Sequence, residues 1–198
     1  MADAGRVIAG SARGVRLLAP GEGTRPLTDR VKQTLFAVLE PDLAGAHVLD
    51  LFAGSGAGAI EALSRGAAAA VLVEHDRRAV DVIRTNLARA GVADRARVVR
   101  ADAVAWLRAD AAAAGPFDLV LADPPYDRRD LLEAALERLG APDAPLALEA
   151  VVVAKHFWRD GPAPTVGLLA SARERRFGET ALTFYRRRPP GTEETREA

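Results

Sequence analysis

The sequence contains no cysteine and few histidines, and both shortages limit the chemistry open to it. Without cysteine there are no disulfides, no thiolate metal ligands and no cysteine nucleophile. Attack on C6 of a pyrimidine through a thiolate is excluded for the same reason. The three histidines, His47, His75 and His156, lie far apart in the sequence and show no metal-ligand spacing, so no metal site is expected.

Long apolar runs and an excess of either charge are also missing. The alanine-rich stretches are interrupted by Arg, Asp and Glu before they reach the length of a membrane span. Residues 1–6 contain no apolar signal core. We therefore expect a cytoplasmic protein without membrane contact. The formal net charge is zero, with 27 basic and 27 acidic residues, which by itself argues against nonspecific binding to nucleic acid.

Basic residues are nevertheless concentrated near both ends of the chain. The two clusters are Arg6, Arg13, Arg16, Arg25, Arg30 and Lys32, and Arg173, Arg175, Arg176, Arg186, Arg187 and Arg188. Solvated surface charge is the usual explanation for such clusters. Two of them on either side of a neutral middle favour a polyanionic partner.

The pattern of apolar residues predicts an α/β fold. Residues 6–19 read as a hairpin, and a helix capped by Thr28 is expected to end at Pro41. From His47 onward strands and helices alternate, which implies a doubly wound parallel sheet. Two β-prone runs after residue 166 predict an antiparallel hairpin at the sheet edge. We divide the chain into a hairpin extension (1–23), a main domain (24–188) and a disordered tail (189–198).

One stretch near the middle of the chain has the composition of a binding site. The apolar run 117–122 leads into Asp123, Pro124, Pro125 and Tyr126, and parallel strands end at the ligand crevice of such a sheet. An aspartate can accept a hydrogen bond from an exocyclic amine, two prolines stiffen the backbone, and a tyrosine can stack on a base. A plain turn also uses Asp-Pro. The complete run favours a holder for a planar amine.

A glycine loop joins the first strand of the alternating series to the helix that follows. It contains Asp50, Phe52, Gly54, Ser55 and Gly56. Glycines let the backbone approach a ligand closely, and the helix N-terminus offers unpaired N–H groups. Such a loop alone is weak evidence for any particular ligand.

Acids at the strand ends indicate which ligand the loop binds. Glu74 ends the second strand, where it can accept hydrogen bonds from two ribose hydroxyls. Asp102, followed by Ala103, can accept from an adenine amine or cap the next helix. Asp50 would repel a pyrophosphate but suits the α-ammonium of a methionine moiety. S-adenosylmethionine satisfies all three acids, whereas NAD satisfies only Glu74.

The order of these motifs resembles class I S-adenosylmethionine-dependent amino-methyltransferases. The N-terminal runs 6–14 and 24–31, together with Phe-Ala-Gly-Ser-Gly at 52–56, are similar to the bacterial RsmD family, which methylates a guanine N2 of 16S ribosomal RNA. The resemblance covers roughly residues 5–186. It implies a Rossmann-like, doubly wound seven-stranded sheet with an antiparallel terminal strand and a small N-terminal β-hairpin.

The resemblance also implies roles for residues outside the two motifs. The segment around Arg25, Thr28 and Arg30 is expected to close over the cofactor, and the family's target is guanine 966. The predicted RNA contacts are Arg6, Arg13, Arg16 and Lys155. The expected partners are 16S ribosomal RNA and the small ribosomal subunit or its assembly intermediate, and a monomer is expected.

One region departs from the family pattern, and alternatives to the assignment stay open. After the fifth strand comes Lys155-His-Phe-Trp158-Arg159, where relatives would be expected to carry an acid. Trp158 either contacts RNA or simply packs. The alternative functions are a DNA adenine-N6 methyltransferase, a protein glutamine methyltransferase and a ribosomal RNA-binding assembly factor without catalysis.

Overall fold

The computed structural model of the chain describes residues 3–21 and 28–189. Its helices are α1 (Asp29–Leu43), α2 (Ala57–Ser64), α3 (Arg77–Ala90), α4 (Ala103–Ala109) and α5 (Arg129–Gly140). Its strands are β1 (Asp3–Arg6), β2 (Arg16–Leu18), β3 (His47–Leu51), β4 (Ala69–Glu74), β5 (Ala96–Arg100), β6 (Phe117–Ala122), β7 (Leu146–Phe157), β8 (Thr165–Val166), β9 (Leu169–Phe177) and β10 (Thr180–Arg187).

Eight of these strands form one sheet in the order β5-β4-β3-β6-β7-β10-β9-β8. Strands β3 to β7 run parallel, and β10 is antiparallel to both of its neighbours. The strand order reverses between β3 and β6, which is where ligands bind in doubly wound sheets. The predicted architecture is confirmed, and the two-residue strand β8 is added at the edge. No helix in the described ranges is long and apolar enough to cross a membrane.

Helices cover both faces of the sheet because its central strands are apolar on both sides. One core packs Leu35, Phe36 and Ile60 against one face, and the other packs Trp106 and Leu136 against the opposite face. Continuous apolar strands of this kind are typical of parallel sheets covered on both faces. The polar residues at the strand ends are thus the ones left to form a site.

Two predicted element boundaries are wrong. Pro41 lies inside α1, which continues to Leu43. Proline near the last turn removes one helical N–H, and the buried side chain of Leu43 keeps that turn packed against the core. Strand β7 extends through Phe157 because β10 pairs with it from Val151 to its end, with Thr180 opposite Phe157. Lys155 therefore lies in a strand and not in a loop.

The N-terminal hairpin, formed by β1 and β2, is fixed to the sheet domain through helix α2. The buried carboxylate of Glu61 accepts hydrogen bonds from the backbone N–H groups of Ile8 (2.7 Å) and Ala9 (3.0 Å). At Gly10, which has φ +82°, an added Cβ would lie 1.8 Å from the carbonyl oxygen of Ser64. Only glycine permits this close approach. The turn of the hairpin is therefore held rigidly against α2.

Candidate active site

A crevice of about 950 Å³ opens at the carboxyl ends of β3, β4, β5, β6 and β7. Parallel strands in register bring side chains that are distant in the sequence to one edge. The crevice is lined by Asp50, Phe52, Gly54, Ser55, Glu74, Asp102, Ala103, Asp123, Pro124, Pro125, Tyr126 and Lys155, among others. The structure therefore brings together the glycine loop, the three strand-end acids and the motif Asp123–Tyr126.

Asp50 is the most deeply buried acid of the crevice, with 4% of its surface exposed. One carboxylate oxygen accepts a hydrogen bond from the backbone N–H of Ala59 in α2 (3.0 Å). Burial raises the pKa of Asp50 to about 8, the Ala59 N–H opposes the shift, and the charges of Asp123 and Glu74 add to it. A cationic ligand group beside Asp50 would favour the ionised carboxylate.

The glycine loop approaches Asp50 and Glu74 closely. Glu74 accepts hydrogen bonds from the backbone N–H groups of Gly54 (2.9 Å) and Asp76 (2.8 Å). Phe52 has φ 63°, a left-handed conformation that is unusual for a bulky residue and is often found at functional sites. At Gly58, an added Cβ would lie 3.0 Å from the Asp50 carboxylate. The hydrogen bond from Gly54 thus ties the loop to Glu74, and the absence of a side chain at Gly58 leaves room for the Asp50 carboxylate.

Asp102 caps helix α4, which confirms the helix-cap role predicted for it. Its Oδ1 accepts the backbone N–H of Ala105 at 2.8 Å. Asp102 and Ala103 both line the crevice. Capping occupies one carboxylate oxygen, so the geometry is also compatible with a ligand amine on the other. The predicted contact with adenine stays a prediction.

Lys155 joins Asp123 and Tyr126 in one polar cluster. Its ammonium lies 2.7 Å from Oδ1 and 2.9 Å from Oδ2 of Asp123, and 5.2 Å from the centre of the Tyr126 ring. The Lys155 side chain is 11% exposed and that of Asp123 is 31% exposed. Burial raises the pKa of Asp123, and the Lys155 ammonium opposes that shift. Lys155 therefore lies against the motif Asp123–Tyr126 and has little exposed surface, and its predicted contact with RNA stays a prediction.

A hydrogen bond anchors the Tyr126 ring to the terminal hairpin of β9 and β10. The Tyr126 hydroxyl lies 2.6 Å from Oγ1 of Thr180, the first residue of β10. Pro124 and Pro125 precede the ring and fix the backbone that carries it. The Tyr126 ring is therefore fixed by the prolines at its backbone and by Thr180 at its hydroxyl. A ring fixed in this way on one side of the crevice suits stacking on a flat ligand ring.

Several predicted site residues lie away from the crevice or outside the described ranges. Arg25 belongs to residues 22–27, which lie outside the described part of the chain, as do residues 190–198 of the predicted tail. Thr28 caps α1 through Val31, and Arg30 is exposed on the first turn of α1. The closing role of this segment stays a prediction.

The arginines of the N-terminal hairpin differ in how they are paired. Arg6 forms an ion pair with Asp29 (3.1 Å) and Arg16 with Asp3 (2.7 Å). Arg13 is exposed on the turn. All three lie on the surface, and their contact with RNA stays a prediction.

Asn86 supports the glycine loop from behind the crevice, and the sequence reasoning missed it. It is fully buried in α3, and its amide donates to the carbonyls of Leu18 and Ser55, both at 2.9 Å. Its Oδ1 accepts the N–H of Leu18 at 2.9 Å. Asn86 thus connects the end of β2 to the glycine loop. The available signal was a lone polar residue on the apolar stripe of a helix.

We expect Asn86→Ala to lower the free energy of unfolding by roughly 1–3 kcal/mol, because it leaves buried backbone groups of Leu18 and Ser55 without partners. Cofactor affinity should fall as well, since the glycine loop loses its anchor. Denaturant unfolding and calorimetric titration with S-adenosylmethionine measure the two effects. Thr85→Ala is the matched control, because Thr85 is the exposed neighbour on the same helix. Equal effects of the two substitutions would contradict the anchoring role.

Comparison with known proteins shows which family the sequence matches. The family model described as "Conserved hypothetical protein 95" matches residues 5–186. The chain is 42% identical to "Ribosomal RNA small subunit methyltransferase D" of Escherichia coli over 188 residues, covering 94% of this chain and 91% of that protein. It is 38% identical to "Putative rRNA methyltransferase YlbH" of Bacillus subtilis, covering 92% of this chain and 99% of the relative.

A solved structure gives the same result for the fold. The "Putative methyltransferase yhhF from Escherichia coli" superposes with a TM-score of 0.79 at 39% identity, covering 92% of this chain and 97% of the other. The family model's match over residues 5–186 spans the crevice and nearly all of the N-terminal and terminal hairpins. The chain belongs to the Conserved hypothetical protein 95 family and, as its motifs predicted, to the RsmD-type class I methyltransferases.

Proposed function

We propose that this protein transfers a methyl group from S-adenosylmethionine to the exocyclic N2 amine of a guanine in 16S ribosomal RNA. The observation that carries the proposal is the position of Asp123, Pro124 and Tyr126 in the same crevice as Asp50 and Glu74. An amine holder and a nucleoside site then face each other across one cavity. The relatives named for ribosomal RNA methylation support the class of substrate.

The residues of the crevice fit S-adenosylmethionine. Asp50 has one oxygen bound by Ala59, and within the described residues its second oxygen has no hydrogen-bond partner, so it can accept from an ammonium. Glu74 can accept ribose hydroxyls, and Asp102 an adenine amine. The lack of a side chain at Gly54 leaves the loop backbone open to the ligand. Gly56 does not line the crevice, and an added Cβ there would instead meet Leu72 and Ile83 in the core. When bound, the cofactor supplies an electrophilic sulfonium methyl group.

The acceptor side of the crevice determines how the amine is presented. The lone pair of an aromatic amine is delocalised into its ring. Asp123 and the carbonyl of Pro124 would each accept a hydrogen bond from one N–H of the amine. These two hydrogen bonds would favour a pyramidal nitrogen, whose lone pair is free to attack. Stacking on Tyr126 is worth about 1–3 kcal/mol per base, and a base in a helix has to leave its stack to reach the crevice. Positioning of this kind lowers the barrier by up to roughly 7–11 kcal/mol in favourable cases.

Lys155 keeps Asp123 suited to this role. A buried carboxylate is held in its charged form by a nearby cation, and the Lys155 ammonium contacts both of its oxygens. Each carboxylate oxygen has two lone pairs, so the amine can share an oxygen with the ammonium. Lys155 is therefore proposed as a positioning residue for Asp123.

Binding of S-adenosylmethionine at pH 7 is expected to release a proton. Asp50 has a pKa of about 8 in the free protein, so it is mostly protonated at pH 7, and an adjacent ammonium lowers that pKa. Calorimetric titration in buffers of different ionisation enthalpy measures the proton count. Asp50→Asn is expected to abolish the release. A wild-type protein that binds the cofactor without proton release would contradict the contact between Asp50 and the ammonium.

The proposed function is tested by nucleoside analysis of 16S ribosomal RNA after incubation with the purified protein and S-adenosylmethionine. We expect N2-methylguanosine, at the family's target guanine 966. Free RNA, the small subunit and an assembly intermediate serve as separate substrates, with double-stranded DNA and a protein domain with exposed glutamines as controls. Methylation of a control alone, or RNA binding without any transfer, would overturn the proposal. We further propose that the protein acts as a monomer in the cytoplasm.

A further inference from the structure

The surface beside Tyr126 carries an arrangement of arginine and tryptophan that the site itself does not use. Trp158 follows β7, and its ring centre lies 3.5 Å from the guanidinium carbon of Arg176 and 4.8 Å from that of Arg159. We call Trp158, Arg159 and Arg176 the arginine-tryptophan platform. Trp158 is half-buried, and both arginines are exposed.

The platform is connected to the catalytic motif through one turn of the chain. The backbone N–H of Trp158 donates to the carbonyl of Glu179 (3.0 Å), and the next residue, Thr180, bonds the Tyr126 hydroxyl. The side chain of Arg176 donates to the carbonyl of Gly178 in the same turn (3.0 Å). Hydrogen bonds from Trp158, Arg176 and Tyr126 thus all meet the turn between β9 and β10, which links the platform to the Tyr126 ring.

The charges of the platform are available to a ligand. Within residues 3–21 and 28–189, neither Arg159 nor Arg176 forms an ion pair with an acid. By contrast, Arg128, Arg129 and Arg186 are each paired. Two more exposed arginines, Arg173 and Arg175, lie on β9.

Acids also occur on this side of the molecule, namely Asp160, Glu174 and Glu179. The surface is therefore not a uniformly basic patch that would bind any polyanion. Its distinguishing feature is the stacking of planar guanidinium groups on an indole. Bases of single-stranded RNA stack on aromatic rings and on guanidinium planes, and arginine also contacts the phosphates.

We propose that the arginine-tryptophan platform binds the single-stranded RNA that flanks the target nucleotide. One neighbouring base stacks on the platform while its phosphate contacts Arg159 or Arg176, and the target base reaches Tyr126. This inference rests on the proposed function and names the part of the surface that recognises its substrate. Trp158 therefore contacts RNA rather than serving only as packing.

The test compares methyl transfer by the wild type and by the double variant Arg159→Gln/Arg176→Gln. We expect KM for the RNA substrate to rise about tenfold or more, with kcat and the Kd for S-adenosylmethionine unchanged. The slope of log affinity for RNA against log salt concentration should become shallower by the amount that corresponds to losing about one to two phosphate contacts. Arg84→Gln/Arg89→Gln, on the exposed face of α3 and outside the crevice, is the matched control.

A second variant separates stacking from charge. Trp158→Phe keeps an aromatic ring and is expected to raise KM less than Trp158→Ala does, while the salt slope stays near that of the wild type. An unchanged KM and salt slope in the arginine variant, with active wild-type protein, would overturn the platform and leave the proposed function standing. If the wild type transfers no methyl group to any RNA, the proposed function itself fails.

Discussion

Asp123→Ala is expected to lower kcat for methyl transfer by about two to three orders of magnitude, which is the usual cost of removing one preorganised hydrogen-bonding group aimed at the reacting atoms. The variant loses the acceptor that would orient the amine lone pair. Cofactor affinity should change little, because Asp50 and Glu74 remain. Single-turnover transfer of a radiolabelled methyl group and calorimetric titration measure the two quantities.

Asp130→Ala is the control for Asp123→Ala. Asp130 is a nearby acid that pairs with Arg128 on the surface (2.8 Å) and does not line the crevice. Thermal unfolding of both variants is needed, since Asp123→Ala also leaves Lys155 without its partner. Transfer at a near wild-type rate by folded Asp123→Ala would show that the aspartate does not hold the amine.

Replacing Lys155 by methionine is expected to move the acidic limb of the pH–rate profile to higher pH. Burial raises the pKa of Asp123 and the Lys155 ammonium lowers it, so without the ammonium the pKa rises further. The proposed role of Asp123 requires its ionised carboxylate, and each unit of pKa increase lowers the ionised fraction about tenfold on the acidic side. The loss of activity should therefore be largest at low pH and shrink as the pH rises. The measurement is kcat between pH 5.5 and 9.5.

Lys155→Arg is the matched control because it keeps the positive charge beside Asp123. We expect its acidic limb to stay close to that of the wild type, even if its rate is lower at every pH. A Lys155→Met profile that superposes on the wild-type profile after scaling would contradict the positioning role. A rise in KM for RNA without any shift in the profile would instead support the RNA contact first predicted for Lys155.

The order of the elements and the composition of the site followed from local sequence. Apolar runs separated by helical stripes predicted the parallel sheet, since each strand buried on both faces has to be apolar throughout. Acids at or near the carboxyl ends of such runs predicted the crevice, because parallel strands end at one edge. Asp50, Glu74, Asp102 and Asp123 were identified in this way, and the structure places all four in one cavity.

Tertiary packing decided what the basic clusters and buried polar residues do. Lys32 is fully buried and donates to the carbonyl of Arg6, and Arg187 is buried against the carbonyls of Ala144 and Leu146. Arg186 pairs with Asp42, 144 positions away in the chain. The sequence grouped all three residues with basic clusters that favour a polyanionic partner. In the structure, Lys32 and Arg187 instead form buried hydrogen bonds and Arg186 forms an ion pair within the fold.

By itself, the sequence determined the doubly wound sheet and the residues that meet at its edge, because those depend on periodicity and on which residue follows each strand. Only the tertiary structure decided that Lys155 contacts Asp123, that Asn86 joins the hairpin to the glycine loop, and that Trp158 contacts Arg159 and Arg176. Such contacts join distant segments, and their geometry depends on strand register and helix docking that no local pattern specifies.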